Sequence, residues 1–111
     1  MKQVPVILML TTSFLVEAQE LQDIKYPSSV DNTMQAAMFH DPEPEQPVPL
    51  VVALHTWSGD YRQKHHGAIR EWCIKKGWAY IHPDFRGPAR RPEATGSELV
   101  IGDIVSAVAH A

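Results

Sequence analysis

Leu50-Val51-Val52-Ala53-Leu54-His55-Thr56-Trp57-Ser58-Gly59 is the stretch that decides the fold. Its first five residues are apolar without a break, the pattern of a strand buried on both faces. A polar, glycine-closed loop follows. From Tyr61 to Lys76 the spacing turns helical, with His65, Ile69, Trp72, Cys73 and Lys76 at three- and four-residue steps. Gly77 then stands where a left-handed C-terminal cap is expected. Trp78-Ala79-Tyr80-Ile81-His82 reads as a second strand, stopped by Pro83. Strand, helix and strand in so short a span predict a parallel βαβ unit, with strands at 50–55 and 78–82 and a helix over 62–76.

Toward the N-terminus, Leu21 to Tyr26 is a strand candidate ended by Pro27-Ser28-Ser29, and Thr33 to His40 is another. Between them and the βαβ unit lies Asp41-Pro42-Glu43-Pro44-Glu45-Gln46-Pro47-Val48-Pro49. Its prolines remove amide donors and fix φ, so it is a connection and neither a helix nor a central strand. Toward the C-terminus, Asp84 to Gly96 is a loop carrying Arg86, Arg90 and Arg91. Thr95 and Glu98 match a capping box at the head of a helix over 97–110. Its Ile101, Ile104, Val105 and Val108 form one stripe suited to packing on a sheet. An alternating β/α chain calls for a further strand after this helix, and none precedes Ala111. The last strand is therefore expected to present an unpaired edge, and the helices an uncovered apolar face.

The 111 residues suffice for one domain. Apolar residues at 44% and charged residues at 21% exclude a disordered chain. A net charge of −3 gives no footprint for nucleic acid or an anionic membrane. The single cysteine, Cys73, excludes an intrachain disulfide and a Cys-rich zinc site. Residues 1–18 read as a signal peptide. Lys2 precedes an uncharged run from Val4 to Val16, too short to span a bilayer, and Val16-Glu17-Ala18 offers a cleavage site before Gln19. The mature chain, 19–111, is expected to be secreted or periplasmic, with no membrane contact after cleavage and with Cys73 buried and inert.

Three segments carry a family resemblance. Pro49 to Gly59 resembles the strand and oxyanion loop of α/β-hydrolases, in which an apolar strand ends in His-Gly-Gly or His-Gly-x. Tyr80-Ile81-His82-Pro83-Asp84-Phe85-Arg86-Gly87 resembles the Pro-Asp-x-Arg-Gly segment of the prolyl oligopeptidase-like (S9-type) branch. Glu98 to Val105 resembles the helix before that family's nucleophile strand. The three come in the family's order and span 49–111. The resemblance implies an α/β fold: a partial α/β-hydrolase sheet, with a parallel βαβα core preceded by two antiparallel strands and incomplete at its C-terminal end. It implies the N-terminal part of a secreted serine hydrolase, a peptidase or esterase working through an acyl-enzyme on a small-molecule or peptide substrate, without a cofactor.

Acyl transfer builds negative charge on a carbonyl oxygen, which fixed backbone N–H groups stabilise. Carried over by position, the loop donor is the amide of Trp57, with Thr56 as second choice. Thr56 departs from the family's glycine, and its Cβ restricts the backbone there. The plainer reading is that His55 and Trp57 pack at a strand end. A Gly-x-Ser-x-Gly elbow is absent: Ser58 has Thr56 before it, Ser97 has Thr95 and Leu99 in the glycine positions, and Ser106 lies mid-helix without them. Ser58, Asp60 and His65 compose a local triad only on paper, since triad partners come from distant parts of a fold. With no nucleophile, acid or base assigned, the chain alone is expected to be inactive. His55, His65 and His66 do not form a metal site, because adjacent helical side chains diverge by about 100°. Arg86 is expected to pair with Asp84 or Asp103 and to order its loop. The competing function is a non-catalytic binding or scaffold module that uses the 55–61 loop for recognition, with Trp57 and Tyr61 as anchors.

Overall fold

The computed structural model describes residues 2–3 and 21–111. The leader read over 1–18 and the boundary at 19 lie, Lys2 and Gln3 apart, outside the described residues. Strands β1 (Gln22–Pro27) and β2 (Met34–His40) form an antiparallel hairpin, with Ile24 opposite Ala37. The outer edge of β2 pairs antiparallel with β4 (Ala79–Pro83), with Phe39 opposite Ile81. Parallel to β4 on its far side runs β3 (Leu50–Val52), with Val52 opposite Ile81. The sheet is mixed, in the order β1-β2-β4-β3. Helix α1 (Gly67–Lys76) links β3 to β4, and α2 (Glu98–His110) follows the long loop.

One strand is buried on both faces, and it is β4. Ile81 packs with Tyr26, Ala37, Phe39 and Ala107 on the α2 side, while Tyr80 packs with Ala53 and Cys73 on the α1 side. The continuous apolar run at 50–54 instead forms a short edge strand. Its ladder ends after Ala53, whose amide donates to the Ile81 carbonyl at 2.9 Å, and Leu54 is 44% exposed. The expectation of an unpaired edge on the last strand is corrected accordingly: β2 takes the other side of β4, so the edges of the described sheet are β1 and β3. Pro83 ends β4 from within, opposite Ala37.

The helix ends differ from the sequence reading in instructive ways. The segment expected as helix from 62 starts as a 3-10 turn at Lys64–His66 and becomes α-helical at Gly67, with no side-chain cap at that end. Its other end is as expected, with Gly77 at φ 70° and the Trp78 amide donating to the Cys73 carbonyl. For α2 the N-cap is Ser97, whose Oγ accepts from the Val100 amide at 3.4 Å. Thr95 is spent on the preceding 3-10 turn, Pro92–Ala94, donating from Oγ1 to the Arg91 carbonyl. The capping box is therefore not formed.

The stripe on α2 is also corrected. Val100, Asp103, Ser106 and Ala107 are the buried residues, while Ile101, Val105 and Val108 are exposed. The close approach of the β1–β2 turn selects the small side. A Cβ on Gly102 would lie 1.9 Å from Val30 Cγ2, and Ser106 Oγ accepts from the Ser29 amide at 2.8 Å. The apolar face expected to be uncovered is thus that of Ile101, Val105 and Val108. No helix among the described residues is long and apolar enough to cross a membrane.

Candidate functional site

Strands β3 and β4 run parallel, and their C-terminal ends deliver the 53–60 and 84–96 loops side by side, the place where open α/β sheets bind ligands. A pocket of about 200 Å³ lies there, walled by Thr56, Trp57, Phe85, Thr95, Gly96 and Val100. His55 joins the two loops. Its ring stacks on Phe85 with centroids 4.0 Å apart and planes 3° from parallel. Nε2 lies 2.7 Å from the Asp84 carbonyl and Nδ1 2.9 Å from that of Thr56; a neutral ring donates to one of them.

The two candidate amides differ. The Thr56 N–H donates to Gln63 Oε1 at 2.8 Å, and Gln63 Nε2 donates in return to Thr56 Oγ1 at 2.6 Å. The Trp57 N–H donates to no group among the described residues, whereas its carbonyl accepts from the Ala89 amide at 2.8 Å. The Trp57 indole is 68% exposed. Gly59 closes the turn by donating to the Thr56 carbonyl, and a Cβ there would come 2.5 Å from Gln63 Oε1. Gln63 was not legible as a site residue. Its role depends on a fold-back over seven positions that no motif marks.

On the other side of the pocket, Phe85, Arg86 and Gly87 take φ of 33°, 77° and 76°. Two consecutive non-glycine residues in the left-handed region cost about 1–2 kcal/mol each, so something must hold them. The Arg86 guanidinium does so. It donates from Nε and Nη2 to Asp103 at 2.7 and 3.1 Å, and from Nη1 and Nη2 to Asp31 at 2.9 and 2.8 Å. Of the two partners expected, Asp103 is found and Asp84 is not. Asp31 was missed, although an Asp-Asn pair in a turn was a signal: its carboxylate caps the Thr33 amide. Hydrogen bonds from Arg86 and Thr33 hold the Asp31 carboxyl well below its usual range. Asp84 instead accepts from the Tyr61 amide at 3.3 Å, and burial pushes its carboxyl up.

Beneath the loops His82 is 2% exposed, and its Nε2 is buried without a hydrogen bond among the described residues. The His66 ring lies 5.1 Å away and the His55 ring 6.5 Å. Burial, and then the neighbouring His66, His55 and His65, push its pKa down to about 4, with Asp60 acting in the opposite direction. The unfolded chain, in which histidine titrates near 6.5, therefore binds an extra proton between about 4 and about 6.5. Stability is expected to fall as the pH drops through that window, by at most about 1.4 kcal/mol per unit. Asp84, with its pKa raised, works in the opposite sense just above the usual carboxylate range. Urea midpoints at pH 7 and 5 measure the slope. In His82→Leu it should largely vanish, and an unchanged slope would assign it to another group.

Ser58, Asp60 and His65 make no hydrogen bond to one another: Asp60 accepts from the Arg62 amide, and the His65 ring packs against His66 at 4.0 Å. Among the described residues, no three His, Cys, Asp or Glu side chains group as metal ligands. Cys73 is fully buried, and burial pushes its thiol up.

No protein-family model matches the sequence, and no curated protein matches it. Among solved structures the chain is similar to the Pyrococcus furiosus esterase Pf2001, with a TM-score of 0.60 at 17% identity. The likeness covers 81% of this chain and 35% of the esterase, so the chain spans about a third of that protein's length. At this identity the likeness is one of fold: a small α/β unit with a mixed four-strand sheet, similar to part of an esterase.

Proposed function

We propose that the chain is the N-terminal part of an exported serine hydrolase, a peptidase or esterase of the prolyl oligopeptidase-like kind, and that it contributes one oxyanion-hole donor, the amide of Trp57. The observation that carries this reading is an unengaged backbone N–H at the wall of a pocket, at the joined C-terminal ends of two parallel strands. Thr56 is the weaker candidate because Gln63 already occupies its amide. The free edge of β3 and the exposed Ile101, Val105 and Val108 support a larger sheet built on this one. In such an enzyme the nucleophile, acid and histidine come from elements outside these residues, as does most of the substrate pocket. Trp57, with its exposed indole, is also the observation favouring the second reading, a recognition module anchored by the 55–61 loop.

Labelling with a fluorophosphonate separates the two. The 111-residue chain is expected to remain unlabelled. A gene product continuing past Ala111 should be labelled stoichiometrically at a serine within Gly-x-Ser-x-Gly. If the longer product carries no such elbow and takes no label, the recognition reading stands instead. Labelling of the 111-residue chain at Ser58 would overturn the assignment of the nucleophile to another segment.

A further inference from the structure

A second cavity, of about 250 Å³, shares no lining residue with the Trp57 pocket. Its floor follows from strand register. Asp23 of β1 stands opposite Met38 of β2, which stands opposite His82 of β4, so the three side chains share one face. Tyr80, two residues from His82, lies on that face too, and Arg62 and Arg70 complete the walls.

The cavity holds more donors than acceptors. Asp23, its only acid among the described residues, is fully engaged: it accepts from Arg62 Nη2 at 2.5 Å and from Tyr61 Oη at 3.2 and 3.3 Å. Three other groups lack partners among the described residues. Arg70 makes no ion pair or hydrogen bond, Tyr80 Oη makes no hydrogen bond, and His82 Nε2 is buried and unbonded. Arg70 lies close enough to Tyr80 to draw its phenol down against the rise caused by burial. Of the three, His82 Nε2 is the buried exception to the rule that buried polar groups are bonded, whereas Tyr80 Oη and the guanidinium of the half-buried Arg70 are donors that a ligand in the cavity can reach.

We propose that this cavity is a binding site for a small monocarboxylate with an apolar body. The carboxylate accepts from the Arg70 guanidinium, a geometry arginine is shaped to give, and from Tyr80 Oη, with the His82 ring on the cavity floor beside it. Met38 and the Tyr80 ring flank the apolar body. With Asp23 and Arg62 neutralising each other, Arg70 leaves one positive charge uncompensated among the described residues, matched to one negative charge on the ligand. The volume lies below the roughly 300–1,000 Å³ of pockets for drug-sized ligands, so the acid is small.

Calorimetric titration of the whole chain with benzoate, and with benzamide as its uncharged counterpart, tests the site. Benzoate is expected to bind saturably, and benzamide at least tenfold more weakly. Arg70→Gln should weaken benzoate at least tenfold, Tyr80→Phe about threefold to tenfold, and Trp57→Ala, in the other pocket, should leave it unchanged. The ring nitrogen resonances of His82 in the unsubstituted protein should move on benzoate addition, a readout that needs no variant. The proposal is overturned if benzoate fails to bind or if benzamide binds equally well. It is equally overturned if Arg70→Gln binds like the parent, if Trp57→Ala abolishes binding, or if the His82 signals stay fixed.

Discussion

Replacing Arg86 with alanine is expected to destabilise the fold by about 3–5 kcal/mol, the cost of stranding one member of a buried ion pair. Asp103 is 0% exposed on the sheet-facing side of α2, and Arg86 is its ion-pair partner among the described residues. The second half of the fork, to the more exposed Asp31, weighs less, since surface pairs contribute about 0–1 kcal/mol. Arg86 also holds together three segments: its own left-handed loop, the β1–β2 turn through Asp31 and α2 through Asp103. Against a typical total of about 5–15 kcal/mol, the loss is large enough to leave a substantial unfolded population. Urea unfolding followed by circular dichroism measures it. Arg86→Lys should fall between parent and alanine, because an ammonium keeps the charge and loses the planar fork. Arg86→Met combined with Asp103→Leu should recover most of the loss, since removing both charges removes the stranded one. A midpoint for Arg86→Ala equal to that of the parent would show that the clamp does not hold the loop.

The same residues show what a linear reading can and cannot reach. Arg86 and Asp103 were legible because a Pro-Asp-Phe-Arg-Gly loop is followed by a helix whose one acid beyond its first turn is Asp103, which leaves few partners. Asp31 lies fifty-five residues away, and only the sheet brings it near. The βαβ unit and the Gly77 cap rest on local pattern and were readable. The second neighbour of β4 was not, because pairing of β2 with β4 is a choice between distant strands that local hydrophobicity does not encode. On α2 the apolar period was real, but it reports which side chains are large. The covered side was decided by Gly102, Ser106 and Ala107, whose small size lets the β1–β2 turn and the sheet approach. At the candidate site, Thr56 in place of glycine was visible as a departure. The carboxamide of Gln63 that engages it was not.

In the longer hydrolase proposed above, Trp57→Pro is expected to lower kcat by about 10²–10³ with little change in KM, the usual effect of deleting one oxyanion donor. Proline removes the single N–H in question, and the side chain it replaces is mostly in solvent, so little packing is lost. Trp57→Ala keeps the amide and should retain kcat, which separates the backbone donor from the indole. Gln63→Ala acts one step away. It frees the Thr56 amide and loosens the turn that aims Trp57, and if about one bond's worth of that loss, about 0.5–1.5 kcal/mol, reaches the donor's placement, kcat should fall by about twofold to tenfold. The three variants thus fall in a fixed order: alanine at 57 nearest the parent, alanine at 63 below it, proline at 57 lowest. If Trp57→Pro keeps kcat within about threefold, less than 1 kcal/mol, the donor lies elsewhere. If Trp57→Ala instead raises KM with kcat intact, the exposed indole contacts substrate in both ground and transition states. The 55–61 loop would then serve recognition and not charge stabilisation.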